Sequence, residues 1–323
     1  MTLSNRVWRG RAAWLLRLFL AAAILALVIR AAPLAEVSRR AREAAPAPLV
    51  LALVLAGVGS LILALRLRLL ARALGLSPTL LAAAGVNLSA LFYGLFLPGG
   101  NITGGAIRFY RLAGPERRVA AAAGAIAWDR LSATLALCLV GLAFWLVAPA
   151  SKPAWPAAAF TLGAAAILGL MVTGMLVRRG DPDAPAPAPA VTGKFGRIVR
   201  RMGSAVREVA RLPPADHAKA LGLSIAAQIL GTALYAALAV AVGIRIPFAT
   251  IGWIRAVVML ALLLPVTISG LGVREGMLMV LLTTQGVDEV PAVALGILVF
   301  ATTVVAPGLV GGVSEGIRLM RVR

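Results

Sequence analysis

The chain has 323 residues, 61% of them hydrophobic and 14% charged, with a formal net charge of +20 and a mean hydropathy of +0.94. A soluble domain of this length has no use for so much apolar surface. Several stretches also reach the ~20 residues that a helix needs to cross about 30 Å of hydrocarbon. The composition therefore predicts an integral membrane protein. It excludes a nucleic-acid-binding reading of the charge, because no soluble body is left to carry a basic face. The arginines fit a role in topology and contact with anionic lipid instead, and a GC-rich coding sequence accounts for their excess over lysine.

The N-terminal stretch MTLSNRVWRGRAAWLLRLFLAAAILALVIRAA (1–32) resembles a signal peptide. Arg17 interrupts it, however, and an apolar run long enough to span follows, so a retained first span is expected over 12–31. Further apolar segments follow at 47–71, 80–97, 119–148, 154–177, 217–243, 250–266, 273–287 and 290–313. Between 178 and 216 lies a long polar stretch that opens with the Pro/Ala spacer RRGDPDAPAPAPAVTGK. After it, Ile198, Met202, Ala205, Val209 and Leu212 share one helical face, and Arg200, Arg201, Arg207 and Arg211 share the opposite one. That is a basic amphipathic helix suited to an anionic leaflet; a solvated helix on a cytoplasmic loop is the alternative.

Two segments break their own helices. LPGGNITGGAIR (97–108) and LPVTISGLGVRE (264–275) share Leu-Pro, a polar, glycine-containing centre, and an arginine nine or ten residues after the proline. Downstream, Gly124 aligns with Gly296 and Trp128 with Phe300. If each break is a turnaround within the membrane, the two halves read alike and are inverted, a recurring transporter design. Placing the N-terminus in the cytoplasm then gives 23 basic residues inside against six outside. Nine simple spans sort the charges less well. Arg30, Arg39, Arg40 and Arg42 on the outer side fit this pattern poorly, although Glu36 and Glu43 partly offset them.

Irregular backbone survives in a bilayer only inside protein or beside a wet cavity. Pro98 and Pro265 stop the helices, and Gly99, Gly100, Gly104, Gly105, Gly270 and Gly272, with Ser269, permit tight backbone and close packing. The helix N-termini that follow would offer free amides to an anion, with Asn101 nearby and Arg108 and Arg274 adding full charge. Ordinary glycine-rich turns at the membrane surface are the bland alternative.

Asp129 and Arg130 lie about ten residues into an apolar segment, where a charge costs at least about 2.5–3.5 kcal/mol. Adjacent helical residues point about 100° apart, so each needs its own partner or water. Arg274 and Glu275 are the expected partners, giving a network across the two halves. Asn87 would bond between helices or line the cavity. Arg66, Arg68 and Arg72 read as topogenic, Arg255 as a snorkelling structural residue, and Glu315 and His217 as interfacial. Cys138 is the lone cysteine. The pair Asp181 and Asp183 lacks supporting carboxylates. No metal, cofactor or catalytic set is expected, and no enzyme activity.

These motifs resemble the lysylphosphatidylglycerol synthase transmembrane-region, or flippase-like domain, family over roughly 14–313. The carriers are Asn87, LPGGNITGGAIRFYRL (97–112), DRL at 129–131, SGLGVREG at 269–276 and Gly286. The resemblance implies lipid movement between leaflets. With no synthase domain expected after Arg323, it implies a stand-alone member without aminoacyl transfer. Where family members often carry an acidic residue, this chain has Gly105-Ala106, and where they often have an arginine in the last span it has GILVFATTVV (296–305).

The expectation is an all-α polytopic bundle of about six spans plus two re-entrant hairpins, with halves at 1–148 and 149–323 and the linker at 178–216. It would sit in the cytoplasmic (inner) membrane with both termini inside and move an anionic or headgroup-modified lipid past Asn87, Asn101, Arg108, Asp129, Arg130, Arg274 and Glu275. A solute channel or carrier and a membrane-embedded transferase or its accessory are the alternatives. A second copy of the chain or a lipid-biosynthetic enzyme are the protein partners left open.

Overall fold

The structure, a computed structural model, describes residues 34–96, 101–114, 118–149, 152–179, 209, 212–263, 270 and 272–321. Among these every regular element is helical, as hydrocarbon demands of a backbone that must satisfy its own polar groups. A short amphipathic helix, α1 (Leu34–Arg42), leads into α2 (Pro46–Ala73), α3 (Leu80–Phe96), α4 (Asn101–Ala113), α5 (Val119–Val147) and α6 (Trp155–Arg179). Then come α7 (Pro214–Ala241), α8 (Phe248–Ala261), α9 (Val273–Thr283) and α10 (Glu289–Phe300). A π-helical stretch, Ala301–Val305, joins α10 to α11 (Ala306–Arg321).

The apolar segments expected from 47 to 313 coincide with these helices. The segment 12–31 lies outside the described residues, as do Pro98, Gly99, Gly100, Pro265, Ser269 and most of the 178–216 stretch. Of the expected amphipathic face, Val209 and Leu212 are described, and both are buried. Two features were not expected. One is α1. The other is the π stretch, where Thr302 and Thr303 donate their hydroxyls to Leu298 O and Val299 O and Pro307 removes a backbone donor one turn later.

Four helices are long and apolar enough to cross a membrane: Pro46–Ala73, Val119–Val147, Pro214–Ala241 and the continuous Glu289–Arg318. The helices flanking the two breaks are shorter. At ~1.5 Å per residue, α3, α4, α8 and α9 reach only about 16–26 Å, less than the ~30 Å of a bilayer core. Exposed Leu51, Val54, Leu61, Leu162, Leu309 and Val313 coat the outer surfaces.

The helix ends gather in two apolar clusters. One holds Leu70, Leu76, Leu112, Ala113, Val209, Leu212 and Ala220. The other holds Val37, Ala44, Ala148, Ala241, Val242, Ile244, Leu282 and Ala292. The start of the α3–α4 pair and its end therefore meet in the first cluster, and those of the α8–α9 pair meet in the second.

Matched caps close the long helices α2 and α7. Gly75 and Gly243 adopt φ of +78° and +83°, and the following amides bond back, Leu76 N–H to Ala71 O at 2.9 Å and Ile244 N–H to Ala239 O at 2.8 Å. This is the Schellman arrangement, which glycine alone adopts without strain. Each cap is backed by an arginine: Arg118 donates to Gly75 O, and Arg40 donates Nε–H to Val242 O at 3.0 Å. Arg40 is one of the arginines that sorted poorly by the positive-inside rule; it satisfies a helix C-terminus.

Small residues set the packing. α2 crosses α7, α5 lies on α8, and α11 lies on α3. A Cβ on Gly104 would collide with Ala90 O, and one on Gly252 would collide with the Phe144 ring. Gly311 likewise sits directly on the backbone of Leu88. Such close approach is how helices adhere where no hydrophobic drive exists between them.

Candidate functional site

A cavity of about 500 Å³ lies among α2, α3, α4, α5, α7, α8, α9 and the π stretch. Its wall carries five arginines, Arg66, Arg108, Arg130, Arg255 and Arg274, but among the described residues only one carboxylate, Asp129. Asn87, Gly104, Gly105, Gln228 and Gly270 also line it. Of the expected substrate residues, Asn87, Arg108, Asp129, Arg130 and Arg274 thus come together on this wall, while Glu275 does not. Asn101 begins α4, and its side chain lies outside the described residues.

Asp129 is fully engaged. Its Oδ1 accepts from Arg66 Nε at 2.8 Å and its Oδ2 from Arg108 Nη2 at 2.8 Å. Arg66 also donates Nη1–H to Ser224 Oγ at 3.0 Å, and Ser224 in turn lies 3.4 Å from Ser132 Oγ. Arg66, Arg108, Asp129 and Ser224 are all buried. The expected partners of Asp129, Arg274 and Glu275, are replaced by Arg66 and Arg108. The physical reason is depth. Arg66 sits seven residues before the end of α2, about 10 Å inside, too far in to act as a surface charge, whereas Arg72 at the helix end is exposed. The topogenic reading of Arg66 is thereby corrected.

Glu275 turns away from the cavity to its own helix. Its Oε2 accepts the Gly272 N–H at 2.7 Å, and its Cα packs on Gly296. The helix N-terminus expected to hold a ligand anion is therefore capped by a carboxylate of the chain itself.

Arg274 is buried, with its guanidinium 5.4 Å from the Phe300 ring centroid. Its Nε and Nη1 have no hydrogen-bond partner among the described residues. Arg255 was expected to snorkel but is buried at 8% exposure, in the middle of α8. Its Nη1 donates to Gln228 Oε1 at 2.9 Å, it lies over the Tyr235 ring, and its guanidinium fills the space beside Gly231. Its Nε has no partner among the described residues, and neither do Arg108 Nε and Asn87 Nδ2. Arg66, Arg255, Gln228 and Ser224 are the members that sequence reasoning missed. For the two arginines the available signal was charge depth within an apolar helix.

A second charged group lies between α3, α4 and α11. Glu315 accepts from Ser89 Oγ at 2.6 Å and pairs with Arg111, which also donates to Ser89 Oγ at 2.5 Å. Glu315 is buried within the protein. His217 packs edge-on against Trp128, ring centroids 4.5 Å apart. Among the described residues no group of three or more His, Cys, Asp or Glu side chains could hold a metal ion.

Apolar spans around an arginine-rich cavity define a polytopic helical membrane protein with a polar site. The chain belongs to the lysylphosphatidylglycerol synthase TM region family, whose profile matches residues 14–311. No curated protein matches the sequence.

Proposed function

We propose that the protein is a lipid translocator of the cytoplasmic membrane, not an enzyme, built from two inverted halves around the arginine-lined cavity. The observation that carries this is the wall itself: five guanidiniums against one described carboxylate, inside a body whose outer face is apolar. Buried charge in a membrane protein is costly and marks substrate paths. A headgroup can enter such a cavity while its acyl chains remain in lipid.

The inverted arrangement, with 80–113 and 248–283 as re-entrant hairpins, is supported by an exchange of partners. α5, which ends the first half, packs on α8 of the second; α11, which ends the second, packs on α3 of the first. The return of each short pair to its starting cluster supports the same reading. Both termini are assigned to the cytoplasm on the distribution of arginines.

The test is a leaflet assay on the purified protein in liposomes, with fluorescent anionic and zwitterionic lipids and an entrapped solute as leak control. Faster movement of the anionic lipid without leakage is expected. Solute leakage that keeps pace with lipid movement would establish a channel instead.

A further inference from the structure

The guanidiniums of the cavity are not equivalent. Arg66 and Arg108 share Asp129, and both oxygens of that carboxylate are used. Arg255 and Arg274 have no acidic partner among the described residues. Arg255 is bonded to a neutral amide, and Arg274 leaves two N–H groups without an acceptor at 4% exposure. Arg130, on the same wall, makes no ion pair among the described residues.

What remains to be satisfied is one-sided. The buried polar atoms without partners on this wall are donors: Asn87 Nδ2, Arg108 Nε, Arg255 Nε, and Arg274 Nε and Nη1. No described carboxylate of the wall is left to receive an ammonium group. Glu275, the nearest alternative in sequence, spends Oε2 on Gly272; its Oε1 is buried without a partner among the described residues, but the residue stays out of the lining. An ammonium-bearing headgroup entering here would meet a surplus of positive charge and find no free counter-ion. An oxyanion would accept from forked guanidinium donors, the strongest class of hydrogen bond in proteins. A single negative charge would leave most of the surplus uncompensated, and each uncompensated buried ion costs several kcal/mol.

We propose that the cavity binds a phosphate headgroup carrying two or more negative charges and no ammonium group, with Arg255 and Arg274 as its principal ligands. The proposal deepens the translocator reading by naming its substrate class, and it assigns Arg255 to the site. Asp129 acts differently. It holds Arg66 and Arg108 in place and keeps the first half of the wall from attracting the anion as strongly as the second.

Binding is measured separately from transport, so that one can fail without the other. The full chain in detergent micelles is doped with one lipid at a time at pH 8, where a phosphomonoester is doubly ionised, and thermal unfolding is followed by tryptophan fluorescence. Phosphatidic acid is expected to stabilise most and phosphatidylglycerol less; phosphatidylcholine and lysylphosphatidylglycerol are expected to have no effect. Arg255→Gln and Arg274→Gln should each weaken phosphatidic acid binding by about ten- to a hundredfold, as loss of a hydrogen bond to a charged group does. The exposed Arg72→Gln should bind as the parent does. Should Arg274→Gln not fold, Arg274→Lys keeps the charge but loses the fork, and partial weakening is expected.

Stabilisation by lysylphosphatidylglycerol equal to that by phosphatidic acid would overturn the proposal, as would full binding by both glutamine variants. Inorganic pyrophosphate provides the second arm. If it stabilises as well as phosphatidic acid does, the multivalent-anion site stands and the lipid reading falls. If phosphatidic acid binds through these arginines while the leaflet assay is silent, the site again stands and translocation falls.

Discussion

The two halves of the cavity solve the same electrostatic problem in opposite ways. In the first half, Arg108 follows its Leu-Pro break by ten residues and is held 2.8 Å from Asp129, which also holds Arg66 at 2.8 Å. In the second, Arg274 follows its break by nine residues and keeps two donors without partners among the described residues. Matched sequence motifs thus deliver arginines to one cavity but give them different roles. A paired buried charge fixes helices to one another. An unpaired one is tolerated only where something else supplies the counter-charge.

The proposed inversion is what makes this contrast a departure from symmetry, and cysteine labelling would break it most completely. On a Cys138→Ser background, single cysteines at Ser77 and Gly114 flank the α3–α4 pair, and single cysteines at Lys152 and Asp288 lie at the opposite helix ends. The first two should react with an impermeant maleimide only from the cytoplasmic side, and the other two only from outside, an all-or-none difference. Opposite accessibility of 77 and 114 would make α3–α4 a through-going span and remove the inversion.

The next largest effect should come from Asp129→Asn. It leaves Arg66 and Arg108 buried without their counter-ion, and breaking a buried pair in this way costs about 3–5 kcal/mol. Unfolding in detergent should show a loss of that order. Combined with Arg66→Gln, the loss should be clearly less than additive, because the two side chains share a bond. Combined with Arg274→Gln, it should be additive. Coupling of Asp129 to Arg274 as strong as its coupling to Arg66 would contradict the separation of the two halves.

Much of this was legible in the chain. Hydropathy located the helices from Pro46 onward, because the apolar runs are long and punctuated by Pro and Gly. The paired breaks pointed to Arg108 and Arg274, and an intramembrane Asp129 announced a polar site. The pairing of Asp129 was not legible. Which arginine reaches it depends on how α2, α4 and α5 are rotated about their axes, and one-dimensional hydropathy carries no such information. Arg66 and Arg255 were misjudged because a helix boundary uncertain by a few residues moves a side chain several ångströms in depth. The π stretch had a signal, two adjacent threonines followed by Pro307, but a uniformly apolar run obscured it. The Arg40 cap was hidden for a different reason: it joins residues 202 apart in sequence.

The smallest effect, and the one that most sharpens the contrast, concerns Arg274 in the ligand-free protein. If this arginine is kept for a ligand and not for the fold, replacing it with methionine should cost little. The change removes an unpaired buried charge, whose burial is unfavourable. It also removes the contact with the Phe300 ring, which contributes roughly 0.5–2 kcal/mol. Methionine fills a similar volume and packs well against aromatic rings. The two terms oppose, so Arg274→Met should change the unfolding free energy in detergent without added lipid by no more than about 1 kcal/mol. That lies well below the loss expected for Asp129→Asn. A destabilisation by Arg274→Met as large as that of Asp129→Asn would mean that Arg274 has a structural partner after all, and the second half of the wall would then be as closed as the first.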